Sequence, residues 1–216
     1  MKKPNFIIAG FPKCGTTSLH HYLSEHPQIF MPSQKELHFF TYEILSKLKN
    51  GPKDGAVKKT QIQDSKKYLD FYRNVKNEIA VGDASPSYIN YPNQFLKIKE
   101  YLEDPKFIIV LRDPINRAYS NYLHLKREQR ETLTFKEAVN RENKRIKDKY
   151  SDFWYYKFNS TYYDKILKAK ETFKEVLIIT SEELNENHVA TMKKVYKFLD
   201  VDCGFIAKRK SNRFNK

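Results

Sequence analysis

The chain has 216 residues, with 40 Lys+Arg against 26 Asp+Glu for a formal net charge of +14. That length suits one domain with a substantial core, and a composition of 40% hydrophobic and 14% aromatic residues excludes a disordered chain despite the charge. Two cysteines, Cys14 and Cys203, make no disulfide framework, and no run approaches membrane-spanning length.

In chain order, residues 6–9 (Phe-Ile-Ile-Ala) read as a buried strand, too short for the apolar core of a signal peptide, so the sequence reads as a soluble, cytoplasmic protein. The strand runs into Gly10-Phe11-Pro12-Lys13-Cys14-Gly15-Thr16-Thr17-Ser18 and then a helix with Leu19, Tyr22 and Leu23 on one face, stopped by Pro27. Residues 42–77 are irregular, with Gly51-Pro52, Gly55 and many lysines. Their first part reads as a mobile insertion and residues 68–72 as a short helix that docks back. Further strands are expected at 79–81, 107–111 and 176–179. Asp113-Pro114 reads as the N-cap and first position of a helix with Ile115, Ala118, Tyr119, Tyr122 and Leu123 at helical spacing. Thr134 with Glu137 forms a capping-box pattern, and Val189, Met192, Tyr196 and Leu199 mark a last amphipathic helix. Strands alternating with helices predict an α/β fold, a single three-layer domain over 1–216 with a central parallel sheet flanked by helices.

Strand, glycine-containing loop and helix start make the context in which backbone N–H groups cradle a phosphate. Gly10 and Gly15 have the separation of the nucleotide triphosphatase loop, but Thr16 stands where that loop carries its lysine, and Lys13 is the one lysine in the loop. A lysine there can reach a 5'-phosphate and is poorly placed to bridge β- and γ-phosphates. The plain alternative is a turn whose Ser and Thr merely cap the helix. At the end of the 107–111 strand, Arg112 points toward the crevice where doubly wound sheets bind ligands, and Ser120 on the following helix can add a donor. Asp113 invites a magnesium-binding reading, although its place before Pro114 fits an N-cap better, and Arg117 has the i,i+4 spacing to pair with it.

Pro12–Leu19 resembles the 5'-phosphosulfate loop of sulfotransferases that use 3'-phosphoadenylyl sulfate (PAPS), in the bacterial and carbohydrate-directed form. Arg112 through Tyr122 is similar to that family's 3'-phosphate motif. The resemblance implies a P-loop-like fold and PAPS as sulfuryl donor, with PAP as product and no metal. It implies donor binding by Lys13, Cys14, Gly15, Thr16, Thr17, Ser18, Arg112 and Ser120. Lys35-Glu36-Leu37-His38-Phe39-Phe40 resembles a segment of the heparan-type members whose glutamate is the catalytic base. The resemblance therefore makes Glu36 the base, with His38 as neighbour or alternative, Lys13 as stabiliser of the departing nucleotide, and Lys35 a substrate contact. In an extended segment Glu36 and His38 would share one side.

Val81-Gly82-Asp83-Ala84-Ser85-Pro86-Ser87-Tyr88 resembles the substrate-side loop, which implies that Asp83, Ser85 and Tyr88 orient a sugar; Ala84 stands where heparan-type members have a lysine, which argues against a heavily sulfated acceptor. Lys208 and Arg209, with Lys210, Asn212 and Arg213, are the residues available for a basic loop over the nucleotide. Residues 41–78 would then form a lysine-rich insertion on the acceptor side. The expected partner is a hydroxyl acceptor, a glycan or glycolipid, with neither nucleic acid nor an integral membrane segment. A P-loop kinase or NTPase, a basic nucleic-acid-binding protein and a binding-only relative of the fold are the rival readings.

Overall fold

The computed structural model describes residues 2–55 and 61–207. Five strands, β1 (Phe6–Gly10), β2 (Ile29–Phe30), β3 (Ala80–Asp83), β4 (Lys106–Leu111) and β5 (Val176–Thr180), form one sheet in the order β2-β3-β1-β4-β5, every pairing parallel. β1 and β3 are buried along their whole length. Helices cover both faces of such a sheet, which is why these strands read as unbroken apolar runs with no alternation. β2 escaped the sequence reading because two residues carry no periodicity.

Ten helices connect the strands among the described residues: α1 (Thr16–Ser24), α2 (Tyr42–Leu45), α3 (Ser65–Asp70), α4 (Phe95–Leu102), α5 (Pro114–Arg127), α6 (Phe135–Asn140), α7 (Glu142–Lys147), α8 (Tyr163–Thr172), α9 (Ser181–Glu186) and α10 (His188–Phe198). From β1 the chain crosses to one side of the sheet and from β4 to the other. The carboxyl ends of these two neighbours, registered Gly10 against Val110, therefore form the switch point where open α/β sheets bind ligands.

The main core surrounds the sheet. Leu19 and Leu23 of α1 are fully buried against it, each contributing about 1.5–3 kcal/mol by removal from water. A second, smaller cluster gathers Tyr122, Leu125, Ala138, Trp154 and Tyr156. The caps follow the sequence: Asp113 accepts from Asn116 N at 2.8 Å, and Thr134 and Glu137 form a complete capping box.

Two expectations change. Along α5, Ile115, Tyr119 and Leu123 face outward, 73%, 47% and 47% exposed, while Arg117, Ala118, Asn121, Tyr122 and Leu125 face in. The inward face is shifted because Arg117 and Asn121 satisfy each other inside, Nη1 donating to Oδ1 at 2.9 Å. On α10, Val189 is likewise exposed, and His188, Thr191 and Val195 join Met192 and Tyr196 inside.

Within the stretch read as a mobile insertion, Asp54 is anchored by its side chain. That buried carboxylate accepts from Gly51 N, Ser151 N, Ser151 Oγ and Trp154 Nε1 at 2.8–2.9 Å and pairs with Arg130. The returning helix docks as expected, with Tyr68 and Tyr72 buried.

Candidate active site

The loop between β1 and α1 turns through two left-handed residues, Lys13 at φ 71° and Gly15 at φ 95°. Gly15 is the N-cap of α1 and makes no side-chain cap, so the first-turn N–H groups of a nine-residue helix face the switch point. Gly10 is required for space: a Cβ there would meet the Val110 carbonyl at 2.7 Å. Cys14 is fully buried, and burial pushes its thiol up to about 12. It serves the loop by backbone and packing. Thr16 is buried, and Thr17 Oγ1 accepts from Lys35 Nζ at 2.7 Å.

The second hydrogen-bond donor follows directly on the end of β4. Arg112 Nη1 donates to the Lys13 carbonyl at 3.3 Å, and Tyr162 Oη donates to the Arg112 carbonyl at 3.1 Å. Phosphate loop and arginine are thus tied together. Ser120 lies half-buried on α5. Burial, with Arg127 and Arg112 nearby, brings the Lys13 ammonium down to about 8.

Arg117 does not pair with Asp113. It is fully buried and donates to Ser160 Oγ and the Tyr156 carbonyl at 2.8 Å and to the Pro12 carbonyl at 3.3 Å, bracing the loop against the 156–160 segment. Asp113 caps α5 and is exposed, so it is no magnesium ligand aimed at the loop.

Opposite the loop stand Glu36 and His38. The segment is not extended: Glu36 and His38 take φ 60° and 52°, and the two side chains meet with Glu36 Oε2 3.8 Å from His38 Nε2. The turn is held by β3 and the loop after it, since Glu36 N donates to the Ala84 carbonyl at 2.9 Å and His38 N to Ser85 Oγ at 3.2 Å. Burial opposes the Glu36 charge. The neighbouring His38 and Lys35, whose Nζ is 3.7 Å from Oε1, outweigh it and hold Glu36 down to about 2.

His38 Nδ1 contacts Ser87 Oγ at 2.7 Å, and Ser87 Oγ contacts Thr41 Oγ1 at 2.8 Å. One proton order satisfies these contacts: Thr41 donates to the His38 carbonyl, Ser87 to Thr41, and His38 Nδ1–H to Ser87. That order leaves Nε2 facing Glu36.

The expected sugar contacts fall elsewhere. Asp83, Ser85 and Tyr88 are each fully buried, so none of the three faces the cleft. Asp83 accepts from Ser85 Oγ at 2.7 Å and from Tyr68 and Tyr88 hydroxyls at 2.9 Å, and burial raises its pKa. The trio is the scaffold under His38. Lys35 belongs to the phosphate-loop side through Thr17, and its burial lowers its pKa.

Lys13, Thr17, Glu36 and His38 are brought together around one cleft of about 230 Å³, whose far wall holds Leu45, Leu48, Gln61, Asn90, Asp152 and Phe153. Sequence reasoning missed Ser87, Asn90 and Asp152. Ser87 lay within a quoted motif, whereas Asp152 sits in a turn with no local signal. Lys208, Arg209, Lys210, Asn212 and Arg213 lie outside the described residues. No group of His, Cys, Asp or Glu among the described residues is arranged to hold a metal, and no described helix is long and apolar enough to cross a membrane.

Comparison with known proteins bears on this geometry. The sequence model of the sulfotransferase family matches residues 4–204. The membrane-associated sulfotransferase kil1 of Dictyostelium discoideum is 38% identical over 55% of this chain and 22% of its own length. Carbohydrate sulfotransferase 15 of Mus musculus is 29% identical over 63% of this chain and 30% of its own. The chain thus spans less than a third of either relative. A crystal structure of a sulfotransferase from Alicyclobacillus acidocaldarius superposes with a TM-score of 0.94 at 36% identity, over 98% of this chain and 87% of that one. Mouse SULT7A1, solved in complex with PAP, shares the fold at a TM-score of 0.58 and 20% identity, covering 94% of this chain and 61% of that one. With a parallel five-stranded sheet, a glycine-containing loop and helix N-terminus at its switch point and a family match along nearly its whole length, the chain has the P-loop-like α/β fold and belongs to the sulfotransferase family.

Proposed function

We propose that the chain transfers a sulfuryl group from PAPS to a hydroxyl of a carbohydrate or glycolipid acceptor, releasing PAP. The observation that carries this reading is the meeting of Lys13 and Arg112 at the switch point, across one cleft from Glu36 and His38. The groups around the phosphate loop fit a doubly phosphorylated nucleotide: loop N–H groups, the Thr17 and Ser18 hydroxyls, one ammonium and one guanidinium, with Asp113 turned away. A kinase reading lacks both its loop lysine, replaced by Thr16, and its magnesium aspartate. The relative whose name specifies carbohydrate supports the acceptor class.

The donor supplies a sulfuryl group on a phosphate leaving group; the chain supplies placement and charge. The loop amides and the α1 N-terminus hold the 5'-phosphate, and Arg112 with Ser120 holds the 3'-phosphate. Glu36 takes the acceptor proton as the new O–S bond forms and the S–O bond to phosphate breaks. Lys13 offsets the charge arriving on that phosphate, and preorganised donors of this kind are worth roughly 3–4 kcal/mol each. Glu36 is weakly basic while Lys35 and His38 hold it. An anionic sulfuryl group beside Lys35 offsets that ammonium and makes the carboxylate more basic when the donor is bound.

Isothermal calorimetry with PAP, AMP and ATP·Mg, on the wild type and Arg112→Ala, tests the donor. PAP binds tightly, AMP weakly, and the variant loses the difference. Binding of ATP·Mg without PAP would overturn the reading.

A further inference from the structure

The far wall of the cleft carries a carboxylate with no part in the chemistry above. Asp152 opens a 3-10 turn, Asp152–Trp154, and lines the cleft. Its position is fixed by its surroundings. The Tyr91 hydroxyl donates to Oδ2 at 3.0 Å, and Asn159 Nδ2 and Tyr155 N donate to its backbone carbonyl at 2.7 and 2.9 Å. Oδ1 has no hydrogen-bond partner among the described residues, which leaves it for whatever enters. The Asp54 carboxylate also borders the cleft, but its oxygens are taken up by Gly51, Ser151, Trp154 and Arg130.

The cations fall on the other side. Among the described residues lining the cleft, Lys13 is the one lysine or arginine, and it belongs to the phosphate loop. Lys165 lies behind the wall, its Nζ donating to Asn90 Oδ1 at 2.9 Å and to the Phe158 carbonyl. The other far-wall groups, Gln61, Asn90, Leu45, Leu48 and Phe153, are uncharged, and His124, whose ring lies against Phe153, has its pKa lowered by burial and by the Lys13 charge beside it. A wall of amides, apolar surface, the His124 imidazole and two carboxylates, of which Asp54 is already satisfied by protein groups, suits a polyol that is itself uncharged. The absence of a lysine at position 84 points the same way.

We infer that Asp152 determines acceptor specificity: its free oxygen accepts a hydrogen bond from a second hydroxyl of an uncharged polyhydroxyl acceptor and repels acceptors bearing carboxylate or sulfate. The inference rests on the sulfuryl-transfer reading and names the acceptor class of the same cleft. Burial raises the Asp152 pKa, opposed by His38, the Tyr91 hydrogen bond and Lys165; once ionised, the carboxylate disfavours a like charge a few ångströms away by tenfold or more.

The test follows radiolabelled sulfuryl transfer from PAPS to a matched pair, methyl glucoside and methyl glucuronide, alongside PAP calorimetry and a thermal melt. The wild type prefers the glucoside in kcat/KM by roughly tenfold or more. Asp152→Asn, which keeps the shape and can still accept from Tyr91, narrows that preference to a few-fold with PAP affinity and melting temperature unchanged. Preference for the glucuronide, transfer to neither glycoside while PAP binds, or an unaltered ratio in the folded variant overturns the inference. The wild-type ratio is informative even if the variant fails to fold. Failure of PAP itself to bind locates the error in the sulfuryl-transfer reading.

Discussion

Asp54→Ala removes the pin that holds the lysine-rich stretch against the cleft. Its carboxylate accepts four hydrogen bonds at 2.8–2.9 Å and pairs with Arg130, whose side chain is 5% exposed. Alanine leaves Trp154 Nε1 and the Ser151 and Gly51 amides without acceptors. Arg130 keeps Glu128, whose Oε2 is 3.2 Å away and partly exposed, and the Pro52 carbonyl. Removing one partner of a buried ion pair costs about 3–5 kcal/mol. At roughly 2–4 °C per kcal/mol for a chain of this size, melting falls by about 10 °C. Differential scanning calorimetry reads this directly. Ser151 and Asp152 share the disturbed wall, so the acceptor KM rises in the same variant while PAP affinity holds. A melt within about 2 °C of the wild type would refute the assignment of Asp54 as the anchor.

Glu36→Gln keeps the side-chain size and removes the proposed base. The kcat for sulfuryl transfer drops by about a hundredfold or more, and PAP affinity by calorimetry is unchanged. The Lys13 ammonium is held down to about 8, so it loses its proton as pH rises through that value in the free protein, whereas a bound phosphate favours the protonated form. PAP affinity therefore weakens above about pH 8 with net proton uptake on binding, visible as a dependence of the calorimetric heat on buffer ionisation enthalpy. Lys13→Arg abolishes that dependence.

The strand, loop and helix that build the proposed donor side were legible in the sequence, because they are local. A strand, a loop with two glycines and a helix start occupy consecutive residues, and Arg112-Asp113-Pro114 announces both a strand end and a helix cap. The acceptor side was legible only by motif, and there the motif misled. Asp83, Ser85 and Tyr88 look like polar groups awaiting a sugar, yet in the fold they satisfy one another beneath His38. Burial of a polar trio leaves no periodic trace. Arg117 failed for a related reason: an arginine four residues after Asp113 reads as its i,i+4 partner, and its acceptors at Pro12, Tyr156 and Ser160 come from distant segments. Asp152 and Asp54 belong to walls assembled by tertiary contact alone, out of reach of any local pattern.

The left-handed backbone at Lys13, Glu36 and His38 bears on how this protein can change over time. Glu103, Asp104, Gln129, Lys149 and Asp200 also take positive φ just past helix ends, and Lys53 does so in the turn closed by Asp54 N and the Gly51 carbonyl. At the cleft, three side chains read as chemically active occupy positions that glycine would fill with less strain, each at a cost of about 1–2 kcal/mol. A lineage under selection for thermal persistence alone would drift toward glycine or asparagine at all three. Relatives that keep a lysine, a glutamate and a histidine there are marked as still working, and a loss of all three would be the earliest sequence signature of a fold retired from catalysis.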